Sequence, residues 1–172
     1  MIKGLGEKAP KIAESSFISQ AACILGDVVI GERCAAFPGA VVRADFGPIR
    51  IGDDVLIEDN VVLHGDPKGL DIGNRVTLGH GAVVNSRRIG NHVLIGMNAT
   101  VLHESEIGDH CIIAAGAVVG QGMMVPDGSF VAGVPGRIVG KATESQLWWV
   151  ERHPAVHDWL VELIEQYKRE GW

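Results

Sequence analysis

The chain has 172 residues, 47% of them hydrophobic, which suits one domain with a substantial core and does not suit a disordered chain. Its formal net charge is −6, from 21 acidic and 15 basic side chains, and that argues against nucleic acid or an anionic membrane as the main partner, since both call for basic patches. No apolar run is long enough to span a bilayer.

The first residues, MIKGLGEKAPKIAE, lack the apolar core of a signal peptide, so the sequence places the protein in the cytoplasm. Cys23, Cys34 and Cys111 are odd in number and far apart; they read as reduced, buried thiols, not as a zinc or disulfide framework.

From Ile18 onward apolar residues return every six positions: Ile18, Ile24, Ile30, Ala36 and Val42, then Ile51, Ile57 and Leu63, then Ile72, Leu78 and Val84, and on from Ile89 to Val131. Gly often follows the leading residue, as in IGERCA, IGDDVL and IGNHVL, and a small or β-branched residue sits four places on, as at Val55, Val76 and Ala99. A period of six fits neither a helix nor a long alternating strand. It fits a short strand and a turn, with three such units closing a triangular coil. Coils stack about 4.8 Å apart through parallel ladders, the leading residue and the residue four places on fill the interior, and Gly relieves crowding at the bend.

Three intervals break the period. Val42 to Ile51 and Leu63 to Ile72 are nine residues each, and Val84 to Ile89 is five. All follow the third strand of a coil, so loops ADFGPIR and GDPKGLD are expected to project from one edge, a suitable place for a site. The repeat fades after VAGVPGRIVG. Thr143 and Gln146 then form a capping box, Pro154 divides a short helix from a longer one, and Leu147, Val150, Val156, Trp159, Leu160, Leu163, Ile164 and Tyr167 make an apolar stripe that should pack on the prism or on a neighbouring subunit. The expected architecture is all-β, a parallel β-helix over 1–140 and a helical segment over 141–172.

Stacking turns equivalent positions into columns. On the third strand the residue after the leading one reads Arg43, His64, Asn85, Leu102; on the second strand the next position reads Pro38, Asp59, His80, Met97. His64 and His80 therefore lie on different faces. One chain cannot readily bring both to one metal, but two can if unlike faces pack, and a triangular prism closes that contact as a ring of three. Arg43 and Asp59 suit partners across it. His92 and His110 stack at turn positions and are expected to face solvent. His103 is a candidate acyltransferase base, and His153 and His157 are placed on the surface.

The segments VVRADFGPIRIGDDVLIEDNVVLHG and IGNRVTLGHGAVVNSRRIGNHVLIGMNATVLH resemble the γ-class carbonic anhydrase family of the left-handed β-helix, hexapeptide-repeat superfamily. The hexapeptide period is shared with acyltransferases; the RAD, EDN, LHG and GH series is far more specific. The resemblance implies a left-handed coil, a homotrimer, zinc or another divalent metal between subunits, and carbon dioxide or bicarbonate as substrate. It implies metal-ligand roles for His64 and His80, and site or contact roles for Arg43, Asp45 and Asp59. Where the family has a third histidine this chain has Asn85, and where it has Gln before the Asp this chain has Glu58. Asn85 offers a weak amide oxygen, so metal binding is expected to be weak or altered; Glu58 is a candidate third ligand, since two histidines with a carboxylate also form a catalytic zinc site. An acyl-CoA-dependent acyltransferase and a non-catalytic trimeric scaffold stay open as alternatives.

Overall fold

A computed structural model describes residues 1–148, 150–151 and 154–171, apart from the side chains of 154–160. Most strands are two residues long and parallel, and each pairs with its equivalents one coil away. The three faces are plain in the registers. On the second-strand face Ala36 pairs with Ile57, Ile57 with Leu78, Leu78 with Ile95 and Ile95 with Ile113. On the third, Val42, Leu63, Val84, Val101 and Val119 follow one another in the same way. On the first, Ile51, Ile72, Ile89, Ile107 and Val125 do so.

The predicted interior positions are the core. Leu63, Leu78, Val84, Ile95 and Ile113 are wholly shielded, as are Val55, Val76, Val93 and Ala99 four places after their leading residues. Each such Leu, Ile or Val contributes about 1.5–3 kcal/mol by leaving water. Cys34 and Cys111 are buried with them, while Cys23 is only half-buried. Burial pushes the Cys34 thiol up to about 11, so it stays protonated and inert.

The corner between the first and second faces is held by a ladder that runs the length of the coil. Asn74 Oδ1 accepts from the Asp53 N–H at 2.8 Å, Asn91 Oδ1 from Asn74 at 2.9 Å, Asp109 Oδ1 from Asn91 at 2.8 Å and Asp127 Oδ1 from Asp109 at 2.9 Å. Gly precedes Asp53, Asn74, Asn91 and Asp109, and Pro126 precedes the last member, Asp127. The next coil packs on each Gly: a Cβ on Gly90 would lie 2.3 Å from Asp109 Oδ1 and 2.7 Å from the Gly108 carbonyl carbon. The crowding that glycine relieves is thus mainly the side chain of the next coil.

The first interruption differs from the expected projecting loop. Val41–Ile51 is one continuous strand that turns the corner from the third face to the first. It pairs with Cys23–Ile30, Gly26 opposite Ala44 and Val28 opposite Ile49, so the extra residues form a bulge. Gly47 makes this possible, because a Cβ there would lie 1.8 Å from the Asp66 carbonyl oxygen. Phe46 at the crest is exposed. The second interruption does turn out of the ladder after His64, closed by the Asp66 carbonyl accepting from the Gly69 N–H at 2.9 Å.

The chain leaves the coil through Arg137–Lys141, which pairs antiparallel with Ser129–Ala132. Helix α1, Glu144–Leu147, carries the expected capping box with Thr143 and Gln146, and α2, Pro154–Glu170, begins at the proline. Ile164 and Tyr167 of α2 pack against Phe17, Phe37, Ala35 and Leu56 on the second-strand face of the same chain. Lys168 Nζ donates to the Ser15 carbonyl at 2.9 Å. His153 and the side chains of Val156, His157, Trp159 and Leu160 lie outside the described residues. Among those described, no helix is long and apolar enough to cross a membrane.

Candidate functional site

Two clusters carry the polar residues singled out by the columns. On the third face Arg43 and His64 are register partners. Between them stands Asp45, on the bulge: its Oδ1 lies 3.0 Å from His64 Nε2, and its Oδ2 accepts from the Arg43 guanidinium. Burial pushes the Asp45 carboxyl up, but the hydrogen bonds from His64 and Arg43 outweigh it and hold the group below its ordinary value. Asp45 thus fixes one ring nitrogen of His64 and leaves the other for a different partner.

Asn85 follows Val84 in the next coil. Its Nδ2 lies 3.3 Å from His103 Nε2. Its Oδ1 is buried and has no hydrogen-bond partner. Reversing the amide would exchange the two atoms, and one end would still lack a partner. Buried acceptors are nearly always satisfied, so this one marks a place where another group is expected. His103 meets the Asn85 amide, a contact the columns did not reveal.

On the second face His80 sits between two carboxylates. Its Nδ1 is 3.0 Å from Asp59 Oδ2 and its Nε2 is 3.1 Å from Glu58 Oε2, and Glu58 also accepts from the His80 backbone N–H at 3.1 Å. The ring is half-exposed, at 50%. Beside it runs an apolar groove of about 620 Å³ lined by Glu58, Thr77, Leu94, Met97, Ile112 and Phe130 among others. Within one chain, then, Arg43, Asp45 and His64 form one group and Glu58, Asp59 and His80 another. The first group lies on strands of the twelve-stranded sheet, the second in the turns that follow strands of the eight-stranded sheet. Arg43 and Asp59 have partners in their own groups.

The hexapeptide profile described as "Hexapeptide repeat of succinyl-transferase" matches residues 48–86, and "Bacterial transferase hexapeptide (six repeats)" matches 88–121. A probable carbonic anhydrase of Methanocaldococcus jannaschii is 41% identical over 159 residues, covering 91% of this chain and 99% of that protein. The chain belongs to the γ-carbonic-anhydrase-like family of hexapeptide-repeat proteins. Gamma carbonic anhydrase 1, mitochondrial, of Arabidopsis thaliana is 31% identical over 85% of this chain, which spans 56% of that protein's length. The crystal structure of a hexapeptide transferase family protein from Anaplasma phagocytophilum superposes with a TM-score of 0.88 at 27% identity, over 96% of this chain and 97% of that one.

One expectation within this γ-carbonic-anhydrase-like fold is corrected. His92 and His110 are turn residues but do not simply face solvent. Their rings stack, with centroids 4.7 Å apart, and both Nδ1 atoms approach Glu151, which the C-terminal segment supplies. The stacking was legible from the period; Glu151 was not, because it comes from outside the repeat.

Proposed function

We propose that the protein works as a metal-dependent carbonic anhydrase of the γ type, a homotrimer that reversibly hydrates carbon dioxide where the third face of one copy meets the second face of the next. The observation that carries this reading is the carboxylate behind each histidine: Asp45 on one ring nitrogen of His64, Asp59 on one ring nitrogen of His80. Metal-ligating histidines are held in this way, which fixes the tautomer and aims the other nitrogen. The separation of the two groups on unlike faces supports a shared site made by a ring of subunits.

The donor set fits a divalent metal with a changed third ligand. His64 and His80 offer nitrogen, and the unsatisfied Oδ1 of Asn85 or the Glu58 carboxylate offers oxygen. Oxygen in place of a third imidazole weakens zinc and favours harder ions. Bound there, the metal would supply hydroxide at neutral pH by lowering the pKa of its water to about 7. The chain's own residues have separate tasks. Asp45 and Asp59 orient the imidazoles, Arg43 offers a positive charge for bicarbonate, and Glu58, half-buried beside His80, either completes the donor set or accepts a proton from water.

The test is metal content and stopped-flow carbon dioxide hydration on the full chain and on Asn85→His. Light scattering is expected to give three times the 18.3 kDa chain mass. Asn85→His is expected to bind zinc more tightly and to gain activity. A strict monomer, or a trimeric Asn85→His that gains no zinc, removes the shared site.

A further inference from the structure

The corner that carries the Asp/Asn ladder also fixes two imidazoles. His92 and His110 occupy the same position in consecutive coils, both with positive φ, at 56° each. Arg33, Asp54 and Arg75 hold that conformation at the equivalent turns below, so it belongs to the corner and not to histidine. Its consequence is geometric. Backbone ladders bind His92 N–H to Asn74 and His110 N–H to Asn91, each at 2.9 Å. The rings must then stack in register, and they do, 18° from parallel. Glu151 arrives from the C-terminal segment, anchored by fully buried Val150 and by its own N–H bonded to the Leu147 carbonyl at 2.8 Å. One carboxylate oxygen is 2.8 Å from His110 Nδ1 and the other 3.1 Å from His92 Nδ1.

Two features exceed an ordinary surface ion pair. His92 Nδ1 is buried, and despite its nearness to Glu151 it lacks the geometry of a hydrogen bond. Moreover one donor atom from each of the three residues lies within 4.8 Å of the others, the one such group of three among the described residues. A tetrahedral ion with bonds of about 2.0–2.1 Å holds its ligand atoms about 3.3 Å apart, so binding draws the three donors together and turns the two stacked rings out of parallel until both Nδ1 atoms face one ion. We infer that His92, His110 and Glu151 form a second metal site, independent of the intersubunit one, which takes a divalent transition metal such as zinc and ties the start of the C-terminal helical segment to the corner of the coil.

Two imidazole nitrogens and one carboxylate oxygen select a borderline ion such as zinc, cobalt or nickel over calcium or magnesium, which prefer all-oxygen sites. His110 and Glu151 are about half-exposed, at 48% and 41%, so a water can reach the fourth position from their side, while His92 Nδ1 is buried. The ion would give His92 Nδ1 the partner it lacks. Two of its ligands belong to the rigid coil and the third to the segment that leads into α2, so its binding is coupled to the docking of that segment.

The experiment uses the full chain with His64→Ala and His80→Ala, so that failure here is distinct from failure of the carbonic anhydrase reading. Stripped with chelator and titrated with zinc chloride, this protein is expected to bind one zinc per chain. Adding Glu151→Gln, or His110→Asn, which tolerates the positive φ, is expected to weaken binding at least about tenfold, the loss that removing even an outer-shell partner causes. Zinc is also expected to slow amide exchange in residues 161–170 of the parent and not of the Glu151→Gln form. No uptake by the parent, or equal affinity with Glu151→Gln, overturns the assignment. If the doubly substituted parent is unfolded by circular dichroism, the same comparison is made in the wild-type background. There Glu151→Gln must lower bound zinc by one per chain, and unchanged content overturns the site.

Discussion

The ladder at the corner between the first and second faces and the column on the third face are built by the same stacking, yet they differ in a telling way. The ladder repeats one chemistry: Asp53, Asn74, Asn91, Asp109 and Asp127 each accept a backbone N–H from the coil below. The column changes chemistry at each step, Arg43, His64, Asn85, Leu102, and leaves Asn85 Oδ1 buried without a partner. A repeated, satisfied position is explained by the fold alone. A varied position with an unsatisfied buried atom is not, since stability would favour satisfying it. Substitutions in the ladder should therefore act on stability, and substitutions in the column on metal and activity.

The largest stability effect is expected at Gly90. Gly90→Ala forces a Cβ against Asp109 Oδ1 and the backbone of Gly108, and overpacking of this kind costs about 1–3 kcal/mol. For a chain of this size that lowers Tm by about 2–4 °C per kcal/mol, read by calorimetry at matched concentration because assembly stabilises by mass action. An unchanged Tm would show that the corner can open, and the ladder would lose its structural meaning.

Asn74→Ala removes one acceptor and leaves the Asp53 N–H to water or to nothing. The loss is expected near 1 kcal/mol, the net value of one hydrogen bond. By contrast Asn85→Ala removes an orphaned buried oxygen together with one exposed contact to His103, so its stability is expected to stay within about 0.5 kcal/mol of wild type while metal binding falls. If instead Asn85→Ala costs as much as Asn74→Ala, the column is structural too and the contrast fails.

How much of this could be read from the sequence follows from where each constraint originates. Leu78 or Ile95 announces itself because a narrow coil needs one large apolar side chain per face per turn. His64 beside Arg43 is legible for the same reason, since the period alone sets that register. The ladder was not legible: an Asp or Asn follows Gly in IGDD, IGNR, IGNH and IGDH, but the period does not say that these side chains bond the coil below, and only the structure shows it. Nor was the bulge that places Asp45 against His64. An insertion of three residues can loop out or be absorbed into a strand, and the choice rests on Gly47 fitting beneath Asp66, a contact between distant turns. Glu151 was hidden similarly, because no period relates the C-terminal segment to the coil.

The smallest effect distinguishes two carboxylates that are both held below their ordinary value. For Asp109 the chief cause is the backbone N–H of Asn91; for Asp45 burial acts upward and is outweighed by His64 and Arg43. A carboxyl with a depressed folded-state pKa stabilises the protein above its unfolded value, about 3.9, and that contribution is lost as pH falls through the folded value. The Tm advantage of wild type over Asp45→Asn should thus be present at pH 6 and shrink on acidification below about pH 4, and Asp109→Asn should behave alike. Salt separates them. At about 1 M the Debye length is about 3 Å, so the Asp45 difference, which draws on the charge of Arg43 at an exposed site, should shrink. The Asp109 difference, carried first by a backbone hydrogen bond inside the ladder, should largely persist. Equal salt sensitivity at the two positions would mean that the third-face cluster is held no differently from the ladder, and that Asp45 is not a specific partner of His64.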